Sequence, residues 1–329
     1  MTSVALTPRC TIEVHLGPDD LAEALRRDVR EGLASTPKRL PPKWFYDEVG
    51  SALFDEITRL DEYYPTRRET EILVREADAI ARRTGATTLL ELGSGTSTKT
   101  HLLLEALAGA GSLERIVAFD VCEPVLRTAG PELATRYPQT RVETIVGDFE
   151  RHLGRLPMEG TSLVAFLGGT IGNLAPVERA KFLTELVDQL QPGDWLLLGT
   201  DLVKDPDRLV LAYDDPQGVT AEFNRNVLRV LNRELRGDLV PERFGHVARW
   251  DPDEQWMEMH LRSDGAQRAR LDALDLDVRF EDGELLHTEI SAKFTRGRLE
   301  GELAAAGLEL DRLLTDAAGD FALTLSRKS

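Results

Sequence analysis

A chain of 329 residues exceeds the usual size of a single domain, so one large domain or two intertwined ones are expected. At 42% hydrophobic it can bury a substantial core, while 40 Lys and Arg against 57 Asp and Glu leave a net charge of -17. Acids and arginines are interspersed with no basic patch, so the field repels polyanions and excludes nucleic acid as a partner.

Residues 1–14 alternate weakly, as a strand or a loose arm. From Pro18 the spacing of Leu21, Ala24, Leu25, Val29 and Leu33 predicts a helix, with Asp19 or Asp20 as its cap. Thr36-Pro37 and the prolines at 41 and 42 break it. An aromatic-dense stretch, Trp44 to Phe54, leads to a turn at Leu60-Asp61-Glu62-Tyr63-Tyr64-Pro65-Thr66-Arg67 and a helix from Glu69 to Arg83. Residues 87–200 then alternate strand and helix, the mark of a parallel α/β sheet. The expected strands are 88–92, 115–119, 142–146, 162–167 and 194–199, with helices near 98–108, 123–136, 149–153 and 177–190. Beyond Leu202 the reading is helical to Leu239, broken at Pro216 and Gly218. Strand-like alternation follows at 244–251, 256–262, 277–280 and 286–291. A helix over 296–306 with Gly307 at its end, and a last strand over 321–326, return to the α/β pattern.

Three strand ends carry chemistry. Leu89, Leu90 and Leu92 run into Gly93-Ser94-Gly95, a tight turn where two missing Cβ atoms let a ligand approach the backbone. The next strand ends on Asp120, and an acid there accepts both hydroxyls of a ribose. Gly147-Asp148-Phe149 sets an acid beside an aromatic, suited to an adenine, and Gly168-Gly169-Thr170-Ile171-Gly172-Asn173 is a glycine-rich turn exposing Asn173. Together these read as a nucleoside-cofactor site. A nicotinamide dehydrogenase would share the turn and Asp120, but Thr98 stands where its third glycine belongs. A cofactor-free scaffold would have lost Asp120, Asp148 or Asn173.

These strings resemble the class I S-adenosylmethionine-dependent methyltransferases, and more narrowly the histidine Nα-methyltransferases of ergothioneine biosynthesis. The narrow resemblance rests on Tyr-Tyr-Pro-Thr-Arg at 63–67, the 168–173 turn, Ala-Tyr-Asp-Asp at 212–215 and His-Thr-Glu-Ile-Ser at 287–291. It implies a Rossmann-like α/β core with a second, mixed α+β substrate-binding domain. The core would comprise 68–203 and 294–329, and the second domain 15–67 and a late insertion, 204–293. It further implies trimethylation of the α-amino group of L-histidine to hercynine, with S-adenosylhomocysteine as by-product. Another amino acid or small amine as acceptor is the alternative.

By the same resemblance, Gly93, Ser94, Lys99, Asp120, Asp148 and Phe149 contact the cofactor. Tyr63, Gly168, Asn173, Tyr213, Glu289 and Ser291 hold histidine, Met259 lines the imidazole pocket, and Tyr46 and Asn173 stand at the reacting centre. On the residues alone several of these keep a plainer reading: Glu289 as a solvated strand acid, Tyr46 and Met259 as core, Lys99 as a surface lysine one turn into its helix. Glu289 and Ser291 lie two apart and share one strand face, where an acid accepting from an imidazole N–H and a hydroxyl pairing the other nitrogen would select histidine. Methyl transfer from a sulfonium needs alignment and a free lone pair, with no metal or covalent nucleophile. Neither signature is present: Cys10, Cys122 and the six histidines show no metal-ligand spacing. The absence of a signal pattern or membrane-length apolar run leads to the expectation of a cytoplasmic protein with no membrane partner, and separately a monomer with a small-molecule substrate is expected.

Overall fold

The computed structural model describes residues 2–95 and 99–329. Thr98, read above as the start of a helix and the occupant of the third-glycine place, lies outside them. In chain order the strands are β1 (Thr2–Thr7), β2 (Cys10–Val14), β3 (Lys38–Arg39), β4 (Thr88–Leu92), β5 (Arg115–Asp120), β6 (Arg141–Val146), β7 (Ser162–Phe166) and β8 (Trp195–Asp201). They continue as β9 (Phe244–Asp251), β10 (Trp256–Ser263), β11 (Gln267–Leu271), β12 (Leu276–Phe280), β13 (Leu285–Ala292), β14 (Leu308–Thr315) and β15 (Phe321–Lys328). The chain forms two compact units: Met1–Gly17, Arg67–Leu202 and Phe294–Ser329 make the first, Pro18–Thr66 and Val203–Lys293 the second.

The first unit is built on a nine-stranded sheet in the order β1-β2-β6-β5-β4-β7-β8-β15-β14. From β2 to β8 the neighbours run parallel, while β15 and β14 close one edge and β1 the other as antiparallel strands. All five residues of β4 and of β7 are buried, as expected for parallel strands covered on both faces. The chain leaves β4 towards β5 and β6 on one side, then returns to β7 and β8 on the other. The order therefore reverses between β4 and β7, and the crevice at the carboxyl ends of these strands is where ligands of such folds bind. Gly93 and Gly95, with φ of 68° and 47°, sit at that place.

Several elements differ from the sequence reading. The helix expected from Glu69 begins at Pro65, because a proline at a first helical turn loses no hydrogen bond. The helix after the glycine turn begins at His101, so Lys99 precedes it instead of lying one turn inside. β11 and β14 went unread: β14 is an edge strand of mixed exposure, and β11 alternates arginines with small apolar residues. The segment over 1–14 is a hairpin whose second strand pairs with β6.

The second unit packs the helices Pro18–Ala34, Glu48–Ile57, Pro206–Tyr213 and Val219–Leu235 with a four-stranded sheet, β3-β13-β10-β9, and the β11–β12 hairpin. Phe45, Phe223, Val227, Leu231, Met257, Met259, Leu261 and Phe280 belong to its core. Asp47 caps the Glu48–Ile57 helix by accepting from Gly50 N–H at 2.8 Å. Gly50 has no substitute here, since a Cβ would stand 1.7 Å from the Phe45 carbonyl oxygen. Asn226 ties the same corner together, donating to Phe45 O and to the Asp47 carboxylate. The register of β10 and β13 shifts between Met259 and His260, which pair with Glu289 and His287 respectively. The residue skipped by this bulge, Thr288, donates its hydroxyl to Met259 O at 3.0 Å. A bulge re-aims neighbouring side chains, and this one borders Glu289.

Candidate active site

In the first unit, Gly93 and Ser94 donate their N–H groups to Phe119 O at 2.9 and 3.1 Å, closing the turn against β5. Gly95 N–H donates to Asp120 Oδ2 at 2.8 Å, and Cys122 N–H to Oδ1 at 2.9 Å. The Val121 N–H also acts on this carboxylate, and three donors leave acceptor capacity for a ligand hydroxyl. Burial holds the Asp120 carboxyl above its ordinary pKa, and the backbone N–H groups partly offset this. The Ser94 hydroxyl is buried without a hydrogen-bond partner among the described residues, and a Cβ on Gly93 or Gly95 would meet none of their atoms within 4 Å. An orphaned polar atom beside an open glycine cradle fits a polar ligand laid against the backbone.

The turn at the end of β6 is held from behind. Asp148 N–H donates to His152 Nδ1 at 3.1 Å, and the His15 ring stacks on His152 with centroids 5.7 Å apart. Phe149 is half-buried and meets Phe166 and Phe182 edge-on, both at 5.6 Å. Lys99 is half-buried and ion-paired with Glu69. Glu69 is fully buried and accepts from Gly168 N–H at 2.8 Å. Gly168 and Asn173, expected on histidine, thus share this unit with the expected cofactor residues, Asn173 ending the short 3-10 turn Thr170–Asn173.

The second unit brings together Tyr46, Tyr63, Tyr213, Met259, Glu289 and Ser291. Met259 and Glu289 are direct cross-strand partners, as are Met257 and Ser291, so all four side chains share one face of the sheet. Glu289 is 7% exposed, yet none of the described residues gives its carboxyl a hydrogen bond. Burial pushes that carboxyl up to about 8, against a smaller opposing pull from Lys293. Tyr213, the last residue of its helix, donates its hydroxyl to Ser291 Oγ at 2.7 Å. Lys293, fully buried, donates to Tyr213 Oη at 2.8 Å and to Ser291 Oγ at 2.9 Å, with its ammonium 4.6 Å from the centre of the tyrosine ring. A second layer fixes Tyr213 from its backbone: His246 Nε2 meets Tyr213 O at 2.8 Å while Asn224 donates to His246 Nδ1 at 2.9 Å. Burial lowers the His246 pKa, which keeps the ring neutral and able to accept at one nitrogen and donate at the other.

Tyr46 lies against Phe54 and Phe223, with centroids 5.6 and 5.4 Å away. Its pKa is raised well above the ordinary phenol value, by desolvation first and then by Glu289, Tyr63 and Tyr213. The ring nevertheless keeps 42% of its surface accessible, the combination expected of a residue lining a concave wall. The plainer reading of Glu289 as a solvated acid is wrong: it is buried in a sheet face.

Sequence reasoning missed Glu69, Lys293, His246 and Asn224. Lys293 was the most accessible of these, because Glu289, Ser291 and Lys293 continue one period-2 polar face beyond an otherwise apolar strand. Glu69 and Asn224 sit in helices, where only the tertiary contacts mark them.

A parallel sheet with a glycine turn at its switch point and an acid at the next strand end defines the class, a Rossmann-like α/β protein built to hold a nucleoside cofactor. A family model described as histidine-specific methyltransferase, SAM-dependent, matches residues 25–328. The Histidine N-alpha-methyltransferase of Mycolicibacterium smegmatis is 57% identical over 312 residues, 95% of this chain and 97% of that protein. Its namesake from Mycobacterium tuberculosis is 56% identical over 320 residues, 97% and 100% of the two chains. Ergothioneine biosynthesis protein 1 of Schizosaccharomyces pombe is 34% identical over 242 residues, 70% of this chain and 30% of that protein. The chain belongs to the family of histidine-specific, S-adenosylmethionine-dependent methyltransferases.

Proposed function

We propose that this enzyme methylates the α-amino nitrogen of L-histidine three times, giving hercynine, and so opens a route to ergothioneine. The family, and the names of relatives more than half identical over nearly the whole chain, support histidine as acceptor. The observation that carries the reading is Glu289: a buried carboxyl that receives no hydrogen bond from the described residues, on one sheet face with the Ser291 hydroxyl, suits the two-sided polarity of an imidazole.

In this proposal Asp120 takes the ribose hydroxyls, Asp148 and Phe149 the adenine, and Gly93, Ser94 and Lys99 the rest of S-adenosylmethionine. The cofactor supplies a methyl group on a sulfonium, so the protein has to align the amine and keep its lone pair free. Gly168, Asn173 and Tyr63 are proposed as further substrate contacts on the strength of their motifs, with Met259 against the imidazole. Every transfer releases one proton. Tyr46 holds its own proton firmly at rest, so it acts as a relay, passing one proton out as it takes one from the amine. The aromatic wall of Tyr46, Phe54 and Phe223 also suits a quaternary ammonium product through cation–π attraction.

Mass spectrometry of the protein with S-adenosylmethionine and L-histidine, beside tryptophan, tyrosine and lysine, tests this. Mono-, di- and trimethyl products on histidine alone are the expected result. Products on another of the amino acids would move the acceptor, and accumulation of monomethylhistidine would withdraw the trimethylation.

A further inference from the structure

Ser291 has one O–H to donate and two lone pairs to accept with. Both lone pairs are used inside the protein, one by Tyr213 O–H at 2.7 Å and one by the Lys293 ammonium at 2.9 Å. Lys293 is fully buried and holds both hydroxyls of the pair, with 2.8 Å to Tyr213 Oη, so neither rotates away without breaking a buried charge-assisted bond. An ammonium only donates. With the Tyr213 O–H directed to Ser291 Oγ and the ammonium on its other lone pair, the Ser291 O–H is left for a ligand.

We propose that Lys293 is a positioning residue that makes Ser291 a pure donor, so that the Glu289–Ser291 face accepts an imidazole only as the neutral ring in one tautomer. The inference rests on the assignment of histidine to this face. Glu289 receives the N–H through either a carboxylate or a carboxyl carbonyl oxygen, and Ser291 donates to the unprotonated nitrogen. An imidazolium carries N–H on both nitrogens, and its second N–H would meet the Ser291 proton with no lone pair left to accept it. The face therefore discriminates by charge state as well as by shape. Without Lys293 the Ser291 oxygen regains an acceptor site, and the imidazolium paired with Glu289 becomes the better-satisfied ligand.

The test is 15N NMR of ring-labelled L-histidine bound to the full chain with S-adenosylhomocysteine at neutral pH. One protonated and one unprotonated ring nitrogen are expected in the wild type; two protonated nitrogens would overturn the proposal. In Lys293→Met the bound ring should become protonated on both nitrogens, while KM for histidine rises about tenfold and kcat changes less. A Lys293→Met enzyme that keeps the single neutral tautomer and the wild-type KM would also overturn it. Should that variant not fold, as judged by loss of S-adenosylhomocysteine binding, the wild-type spectrum decides alone. A wild type that binds the cofactor product but no histidine removes the functional reading, and the Lys293 assignment with it. A bound imidazolium removes only the latter.

Discussion

If S-adenosylmethionine and histidine bind as proposed, the two units recognise by different means. In the first, the contacts are backbone N–H groups and a strand-end carboxylate at Gly93–Gly95 and Asp120, all within a span of about thirty residues and fixed by sheet topology. In the second, the polar face gathers Tyr213 from a helix and Glu289, Ser291 and Lys293 from one strand region, backed by Asn224 and His246 from two further elements. A backbone cradle suits any nucleoside cofactor and recurs wherever the sheet recurs. A buried network of side chains has to be satisfied by one ligand, and leaving it unsatisfied is costly. On the proposed reading the first unit sets the class of reaction, and the second sets the acceptor.

That division can be broken one side at a time. The largest effect is expected on the acceptor side: Glu289→Ala should lower kcat/KM for histidine by about three orders of magnitude, as removal of a buried polar recognition group does. Calorimetric affinity for S-adenosylmethionine should stay unchanged, and a parallel loss there would erase the distinction. Asp120→Ala is the converse. It removes the charge-assisted contacts proposed to the ribose and should weaken S-adenosylmethionine binding about a hundredfold by the same calorimetry.

A smaller effect tests the support of the Gly168 turn and of Lys99. A Cβ at Gly199 would stand 2.2 Å from Glu69 Oε1, so Gly199→Ala should displace that buried carboxylate from Gly168 N–H and Lys99. Thermal unfolding should show a loss of about 1–3 kcal/mol. An unchanged melting temperature would mean that Glu69 has another place to go.

The smallest effect is a pH dependence confined to the second unit. With the Glu289 carboxyl near 8 in the fold, the folded protein binds this proton more tightly than the unfolded chain. Its stabilising effect is complete below the ordinary carboxylate range and is lost as pH rises towards 8, at up to about 1.4 kcal/mol per pH unit. His260 opposes it. Burial brings that imidazole down to about 4, so its proton is lost on folding and stability rises with pH up to the ordinary histidine value. Burial lowers His246 and His287 as well, so below about pH 6.5 the histidines outweigh Glu289, and its decline stands out from there to about 8. Ligand-free melting curves of wild type and Glu289→Gln should diverge in that upper window, and parallel curves would place the Glu289 proton outside the folding equilibrium.

The glycine turn, Asp120, the strand–helix alternation over 87–200 and the period-2 pair Glu289 and Ser291 were legible because each is a local pattern. The unread elements were those whose local pattern is weak. β14 is amphipathic and held mainly by pairing with β15, and Lys99 stands before its helix because the helix starts only at His101.

The sequence by itself determined the class of sheet, the glycine turn after one of its strands and the identity of the groups at the strand ends, since periodicity and glycine placement act over a few residues. Only the tertiary structure decided that Glu289 is buried with no hydrogen bond from the described residues, that Lys293 fixes the Ser291 and Tyr213 hydroxyls, and that Glu69 stands behind Gly168. Burial and hydrogen-bond satisfaction are sums over neighbours distant in the chain, and no local pattern contains them.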